Sequence, residues 1–371
     1  MGKPVRETEG TQKAKAGGPS SGGLDDAVPW DYGTVRTPLS IGSISMRVYP
    51  HELSAREQVA EARLQARIAV EAGFDGVMLA EHHCGFPGYF PNPHQIGGFL
   101  LAAMPHGWMA PAPMLLPMLP YGMFAEYLAW LNAAYPGRVG AGFGAGAFQA
   151  DFAIADVPFD TIKQRFRDAL PKVVAALQGQ DTTALAGDRA LRACTTDPVP
   201  IVAAAQSPPA VRRAARLGIG VLYDSLQTSA RLRELSDAYD AAGGRAAKIL
   251  IRRVWIGDPP AENAAAQMQA FRAVATDRAA THWGAADLLV HGRDGIEAAE
   301  RLAEVLRESH ANAVNIRVHL KGLTPEQVRS QIERFGAEFL PHFRSIWLTR
   351  SDILSSRTEN SIGYNLRADR R

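Results

Sequence analysis

Glu81, His82, His83 and Cys84 stand in a row at the end of an apolar run, Gly76-Val77-Met78-Leu79-Ala80. A carboxylate beside imidazoles can move protons near neutral pH, a thiol beside an imidazole can attack as a nucleophile, and histidine and cysteine both bind metals. Strand geometry sorts these options. Side chains alternate, so His82 shares a side with Met78 and Ala80, whereas His83 shares a side with Leu79 and Glu81. Neighbouring histidines therefore diverge unless the strand has already ended, which argues against a metal shared by His82, His83, Cys84 and His94. No carboxylate stands at a later strand end apart from Asp224. Cys84 reads as a pocket-lining thiol, and proton transfer is the chemistry that suits the row.

These groups need a scaffold that presents them at a strand's carboxyl end. The run is preceded by a helix that opens on Ser54-Ala55-Arg56-Glu57, the pattern of a capping box, and stops at Gly73. Further apolar runs at Leu39–Met46, Trp108–Leu116, Arg138–Gly146, Pro200–Ala205, Gly220–Asp224, Lys248–Gly257 and Ala313–Leu320 read as strands. Helical patterns over 93–104, 122–134, 158–178, 208–217, 228–242, 260–280, 293–309 and 324–340 separate them. Eight strands alternating with helices predict an α/β fold, a (β/α)8 TIM barrel with an insertion near the seventh and eighth strands. Active sites of such barrels lie at the carboxyl ends of the strands.

Four other stretches fall at those ends. The loop after His83 is aromatic and proline-rich, with Phe86 and Tyr89 expected to line an apolar substrate pocket. Gly140, Gly142, Gly144 and Gly146 leave one side of the fourth strand bare. Either a flat ring lies there or barrel layers pack closely. Ser207-Pro208-Pro209 opens a helix, and helix starts attract phosphate. In the eighth strand Asn315, Arg317 and His319 alternate with Ile316, Val318 and Leu320, which points the polar set at the barrel axis.

The chain has 371 residues, 46% hydrophobic and 21% charged, with a net charge of +2. That is enough for a large core and gives no electrostatic case for nucleic acid or an anionic membrane. Two cysteines are no disulfide framework and fit a reducing, cytoplasmic setting. No apolar run is long enough for a membrane span, and the amino-terminal lysines precede no apolar leader segment. Residues 1–29 read as a disordered arm, 30–349 as the barrel and 350–371 as a loose tail.

Ala80-Glu81-His82-His83, Ala125-Glu126-Tyr127-Leu128 through Pro136-Gly137-Arg138-Val139 into Gly142-Phe143-Gly144-Ala145-Gly146, and Ala205-Gln206-Ser207-Pro208 with Ala214-Ala215-Arg216-Leu217-Gly218 resemble, in order and spacing, the bacterial luciferase-like flavin monooxygenases. The resemblance covers roughly residues 38–345. It implies a non-covalent flavin at the carboxyl face, reaction of reduced FMN with O2 to a C4a-peroxyflavin, and oxidation of a small organic substrate. By position it makes His82 the active-site histidine, supported by His83 and Glu81. Gln206 and Ser207 become the phosphate corner, and Ala112 and Pro113 a cis peptide beneath the ring, beside Gly142 and Gly144. Arg317 and His319 join Phe86 and Tyr89 as substrate contacts.

No GxGxxG fingerprint is present, so reduced flavin is expected from a separate reductase. The family also implies a homodimer. Two positions where relatives carry basic residues near phosphate hold Ala145 and Met123 here, with Arg212 and Arg213 as possible substitutes. That departure keeps a non-catalytic flavin binder among the readings. So does an F420-dependent hydride-transfer enzyme on the same barrel.

Overall fold

Every residue of the first three strands is buried, which is how strands covered on both faces behave. In the computed structural model, which describes residues 35–274 and 289–347, these are β1 (Ile44–Arg47), β2 (Gly76–Leu79) and β3 (Trp108–Pro111). They are followed by β4 (Met114–Leu115), β5 (Ala141–Gly144), β6 (Ile201–Ala204), β7 (Gly220–Tyr223), β8 (Lys248–Ile256), β9 (Val290–Gly292) and β10 (Ala313–Arg317). All pairings are parallel, in the order β3-β2-β1-β10-β8-β7-β6-β5-β4. A bridge between Met109 and Val139 joins β3 to the stretch leading into β5 and closes the ring. Because β3 and β4 are one stave broken at Ala112-Pro113, the barrel has eight staves. β9 is an addition, paired to the far end of β8 through Val254–Val290 and Ile256–Gly292.

Twelve described helices connect the strands. They are α1 (Ala55–Glu71), α2 (Pro93–Leu101), α3 (Tyr121–Ala134), α4 (Gln149–Ala153), α5 (Ile162–Leu177), α6 (Arg189–Ala193), α7 (Pro208–Arg216), α8 (Ser229–Ala241), α9 (Ala261–Val274), α10 (Gly295–Ser309), α11 (Pro325–Arg334) and α12 (Leu340–Trp347). Ser54 and Glu57 form the expected capping box, and Gly73, at φ +105°, releases the chain after α1.

Alternation along the strands separates two apolar layers. Met78, Trp108, Ala110, Ala112, Val202 and Leu222 fill the interior. Val77, Leu79, Met109, Phe143, Val221 and Val314 pack outward under the helices. Asp75, fully buried before β2, accepts hydrogen bonds from the backbone of Ile44 and Arg36 and from Arg344 of α12. Its burial raises its pKa in spite of that arginine. It holds the final described helix against the barrel.

Several elements differ from the sequence expectation. β1 begins at Ile44, because Leu39 adopts a left-handed φ of +53° and turns its side chain toward Gly140. The third strand breaks where proline removes ladder donors, and the Ala112–Pro113 bond is cis, as the resemblance implied. β10 stops at Arg317, three residues before the expected end. The helix foreseen over 324–340 becomes α11, a π-turn over Phe335–Phe339, and α12. Short helices α4 and α6 and strand β9 had no sequence expectation. The arm over 1–29, the tail over 350–371 and the end of the helix over 260–280 lie outside the described residues.

Candidate active site

β2 ends at Leu79, so Glu81, His82 and His83 leave the sheet in different directions. His82 Nδ1 lies 2.8 Å from Oδ2 of Asp151, and the other oxygen of that carboxylate accepts the backbone N–H of His83 at 2.8 Å. Asp151 is 1% exposed. A buried carboxylate against Nδ1 keeps the proton on that nitrogen, which leaves Nε2 as the atom that can take or give a proton. Nε2 has no hydrogen-bond partner among the described residues. Asp151 comes from α4, which follows β5, two staves round the barrel from β2, so the pair joins two separate staves.

His83 and Glu81 form a different unit. His83 Nε2 is 2.9 Å from Glu81 Oε1, while Glu81 Oε2 accepts the Leu115 N–H at 2.6 Å and the Glu81 N–H donates to Pro113 O at 3.1 Å. Glu81 therefore ties the end of β2 to β4. Cys84 is exposed, with its thiol directed at Ala150 O at 3.5 Å. Among the described residues no group of three or more His, Cys, Asp or Glu side chains is arranged to hold a metal.

Aromatic rings enclose His82. Phe86 stacks on it at 4.6 Å, Tyr89 meets it edge-on at 4.5 Å, and Phe148 lies 5.1 Å away and stacks on Phe86. Phe86 and Tyr89 thus meet the catalytic candidate directly. Burial pushes the Tyr89 phenol far up, and Tyr49 adds to that. Phe148 and Asp151 carry no motif and escaped the sequence reading.

The glycine-rich wall proves to be two different things. A Cβ on Gly142 would fall 2.4 Å from the Ala112 Cβ and 3.2 Å from Val202, and Ala112 has no exposed surface. Ala112 and Gly142 pack against each other inside the barrel, and both are buried. Gly140 is likewise filled by Leu39, and Gly146 faces Phe152. Only Gly144, one layer higher, keeps looser neighbours, Pro113 at 3.3 Å and Ala204 at 3.6 Å. Gly144 itself is buried, with Pro113 and Ala204 as the partly exposed residues beside it.

The corner after β6 fits an anion less well than its sequence suggests. Ser207 caps α7 without a side-chain hydrogen bond, so its hydroxyl is free for a ligand. The first two helical residues, Pro208 and Pro209, have no N–H, and the next two N–H groups, of Ala210 and Val211, both donate to Ser207 O. The helix start therefore offers its dipole but none of the usual donors. Gln206 donates to Leu222 O at 3.2 Å and accepts from Gln227, so its amide braces the mouth. Arg212 is exposed and Met123 is exposed. Arg213 is partly buried, and its pKa is lowered by burial and by Arg167 and Arg216.

Two cavities open at the mouth, both on the side of β1 and β2. One, of about 500 Å³, is lined by His82, Cys84, Phe86, Tyr89 and His51 among others. The other, of about 480 Å³, brings in Gln267, Arg317, His319, Lys321 and Leu323. Arg317 and His319 both line it, and His319 lies beyond the end of β10. Neither cavity is lined by Pro113, Gly144, Gln206 or Ser207.

A parallel eight-stave barrel whose polar groups gather at the carboxyl ends of its strands has the architecture of a barrel enzyme. Comparison with known proteins makes that specific. The chain belongs to the luciferase-like monooxygenase family, whose model matches residues 41–340. It is 31% identical over 189 residues to the F420-dependent glucose-6-phosphate dehydrogenase of Beutenbergia cavernae, a match covering 45% of this chain and about half, 52%, of that relative.

Among solved structures it is similar to the monooxygenase RslO1 from Streptomyces bottropensis, with a TM-score of 0.67 and 19% identity over 81% of this chain and 99% of that one. It is also similar to the oxygenating constituent of 3,6-diketocamphane monooxygenase from Pseudomonas putida, solved with FMN. That match has a TM-score of 0.64 and 15% identity over 81% and 98% of the two chains. At these identities the structural likeness is one of fold. The family is one of oxidoreductases, with flavin-dependent and F420-dependent relatives. No described helix is long and apolar enough to cross a membrane.

Proposed function

We propose that this chain is a flavin-dependent monooxygenase that uses reduced FMN and O2 to oxidise a small organic substrate. The observation that carries the reading is the Asp151–His82 pair at the mouth, with His82 Nε2 unengaged and enclosed by Phe86, Tyr89 and Phe148. Bound reduced flavin would supply the electrons that activate O2. Pro113, Gly144 and Ala204 would support its ring, and Ser207 its phosphate end. Asp151 fixes the tautomer of His82, and His82 Nε2 holds or delivers a proton beside the ring. The aromatic enclosure excludes water, which keeps reactive oxygen species from being wasted. Glu81 and His83 brace β2 against β4, so their contribution is to position His82.

Reduced FMN would arrive from a separate reductase, since no dinucleotide fingerprint occurs in the chain. Phe99, Met123, Tyr127 and Trp130, exposed on α2 and α3, are where a second copy would pack in the expected homodimer. The test is oxygenation itself. Protein, reduced FMN and O2 should convert a candidate substrate to a product carrying an atom of labelled O2, and His82→Ala should abolish this while still binding flavin.

A second reading, F420-dependent hydride transfer, is favoured by the Beutenbergia cavernae relative. It would use the same imidazole as proton donor or acceptor and no O2. Product formation under strict anaerobiosis with reduced or oxidised F420 would select it.

A further inference from the structure

The two cavities at the mouth share two short runs of lining residues, 50–52 after β1 and 86–88 in the loop after His83. The boundary between the cavities therefore runs along these residues. Of the two, only the cavity of about 500 Å³ holds His82, the proton carrier proposed above. Beyond the boundary, the cavity of about 480 Å³ has apolar walls from Leu53, Leu323 and Pro325.

Phe86 is the largest apolar side chain of the boundary. Its ring stacks on His82 at 4.6 Å and on Phe148 at 5.2 Å, and meets Tyr89 edge-on at 5.5 Å. None of these three partners lines the second cavity. Phe86 is thus held from the His82 side and borders the other hollow as well. His319, in the second cavity, is linked back to His82 by a row of rings: it stacks on Tyr49 at 5.4 Å, Tyr49 meets Tyr89 at 5.3 Å, and Tyr89 meets His82 at 4.5 Å.

The two kinds of aromatic wall differ in how firmly they are built in. Tyr49 is buried. Phe86 is only partly buried and sits on a loosely packed loop. A Cβ on Gly85 would meet nothing within 4 Å, and one on Gly88 would meet only Tyr49, at 3.9 Å. Shortening Phe86 therefore removes a partition and leaves the core in place.

We infer that Phe86 is a specificity-determining residue that limits the length of the substrate reacting at His82. With Phe86 in place the site takes compact organic molecules that end within the first cavity. With a small residue there it takes extended ones, whose apolar body continues along Leu53 and Pro325. This deepens the oxidoreductase reading above and rests on it only in calling the occupant a substrate. The binding test uses no flavin, so its failure is distinguishable from failure of that reading.

Straight-chain alkan-1-ols of increasing length should be titrated into the full chain, with the imidazole NMR signals of His82 reporting occupancy beside it. Each methylene that enters an apolar cavity tightens binding about fourfold, so affinity should climb with length and level off where the cavity ends. Phe86→Ala should carry that climb over a further few carbons. Phe86→Trp, which fills the boundary, should end it at shorter chains, and it keeps the test decisive if the alanine variant does not fold. Ala270→Phe, at a partly exposed position of the second cavity, should take back the gain in the Phe86→Ala background. A limit unchanged in both Phe86 variants, a gain that Ala270→Phe leaves intact, or no shift of the His82 signals with any alcohol would overturn the inference.

Discussion

Asp151 holds the amino-terminal half of the mouth together by accepting from two adjacent residues at once, Nδ1 of His82 and the backbone N–H of His83, each at 2.8 Å. One buried carboxylate thereby sets both the direction of the imidazole and the path of the chain beneath it. Asp151→Asn can keep one contact as an acceptor, but it no longer fixes the proton on Nδ1. The expected outcome is a fall in turnover of about 10²–10⁴-fold with the fold retained. Nitrogen NMR of His82 should report loss of the single tautomer. An unchanged imidazole spectrum would contradict the assignment.

The proline-capped start of α7 makes a prediction about flavin phosphate. With no N–H on Pro208 or Pro209, the phosphate should add little to binding. FMN is expected to bind less than about tenfold more tightly than riboflavin, by fluorescence quenching. Pro209→Ala restores one donor and should widen the gap by a few-fold.

Gly142 and Gly144 should respond differently to a methyl group. Gly142→Ala forces a Cβ to 2.4 Å from that of Ala112, and a loss of about 1–3 kcal/mol in urea unfolding is expected. Gly144→Ala, with its nearest neighbour at 3.3 Å, should cost less in stability. Its effect should appear instead as weaker flavin binding.

His319 gives a pH dependence with a defined sign. Burial, then Arg317 and His51, push its pKa well below the ordinary value, and burial lowers that of His51 too. The unfolded chain takes up these protons near its own value of about 6.5 while the native chain does not. Stability is therefore full above about pH 6.5 and falls as the pH drops from there toward the folded values, by at most about 1.4 kcal/mol per pH unit for each such group. His319→Phe should show a smaller loss of Tm between pH 7 and 5 than the parent. Identical slopes would show that His319 is not held neutral.

The barrel and the end of β2 were legible because parallel strands carry uninterrupted apolar runs and stop on polar residues. The divergence of His82 from His83 was expected from the two-residue strand period, but β2 ends at Leu79 and the loop beyond it sets both directions. Asp151 was not legible. It lies 69 residues from His82 in a five-residue helix, too short to show a periodicity, and only the barrel brings the two together. Which glycine of an alternating set is packed tightly and which more loosely depends on the neighbouring stave, here Ala112 and Pro113, and no pattern within β5 contains that. At Ser207 the needed information was in the sequence, since the two prolines themselves remove the donors that a helix start would offer.

The central claim is that the mouth accepts a reduced flavin beside His82. Anaerobic titration of the full chain with reduced FMN and, in parallel, with reduced F420 tests it most directly. The account predicts saturable binding of reduced FMN at micromolar concentration, with one flavin per chain and a changed spectrum in His82→Ala. Binding of F420 with no binding of reduced FMN up to high micromolar concentration would contradict it.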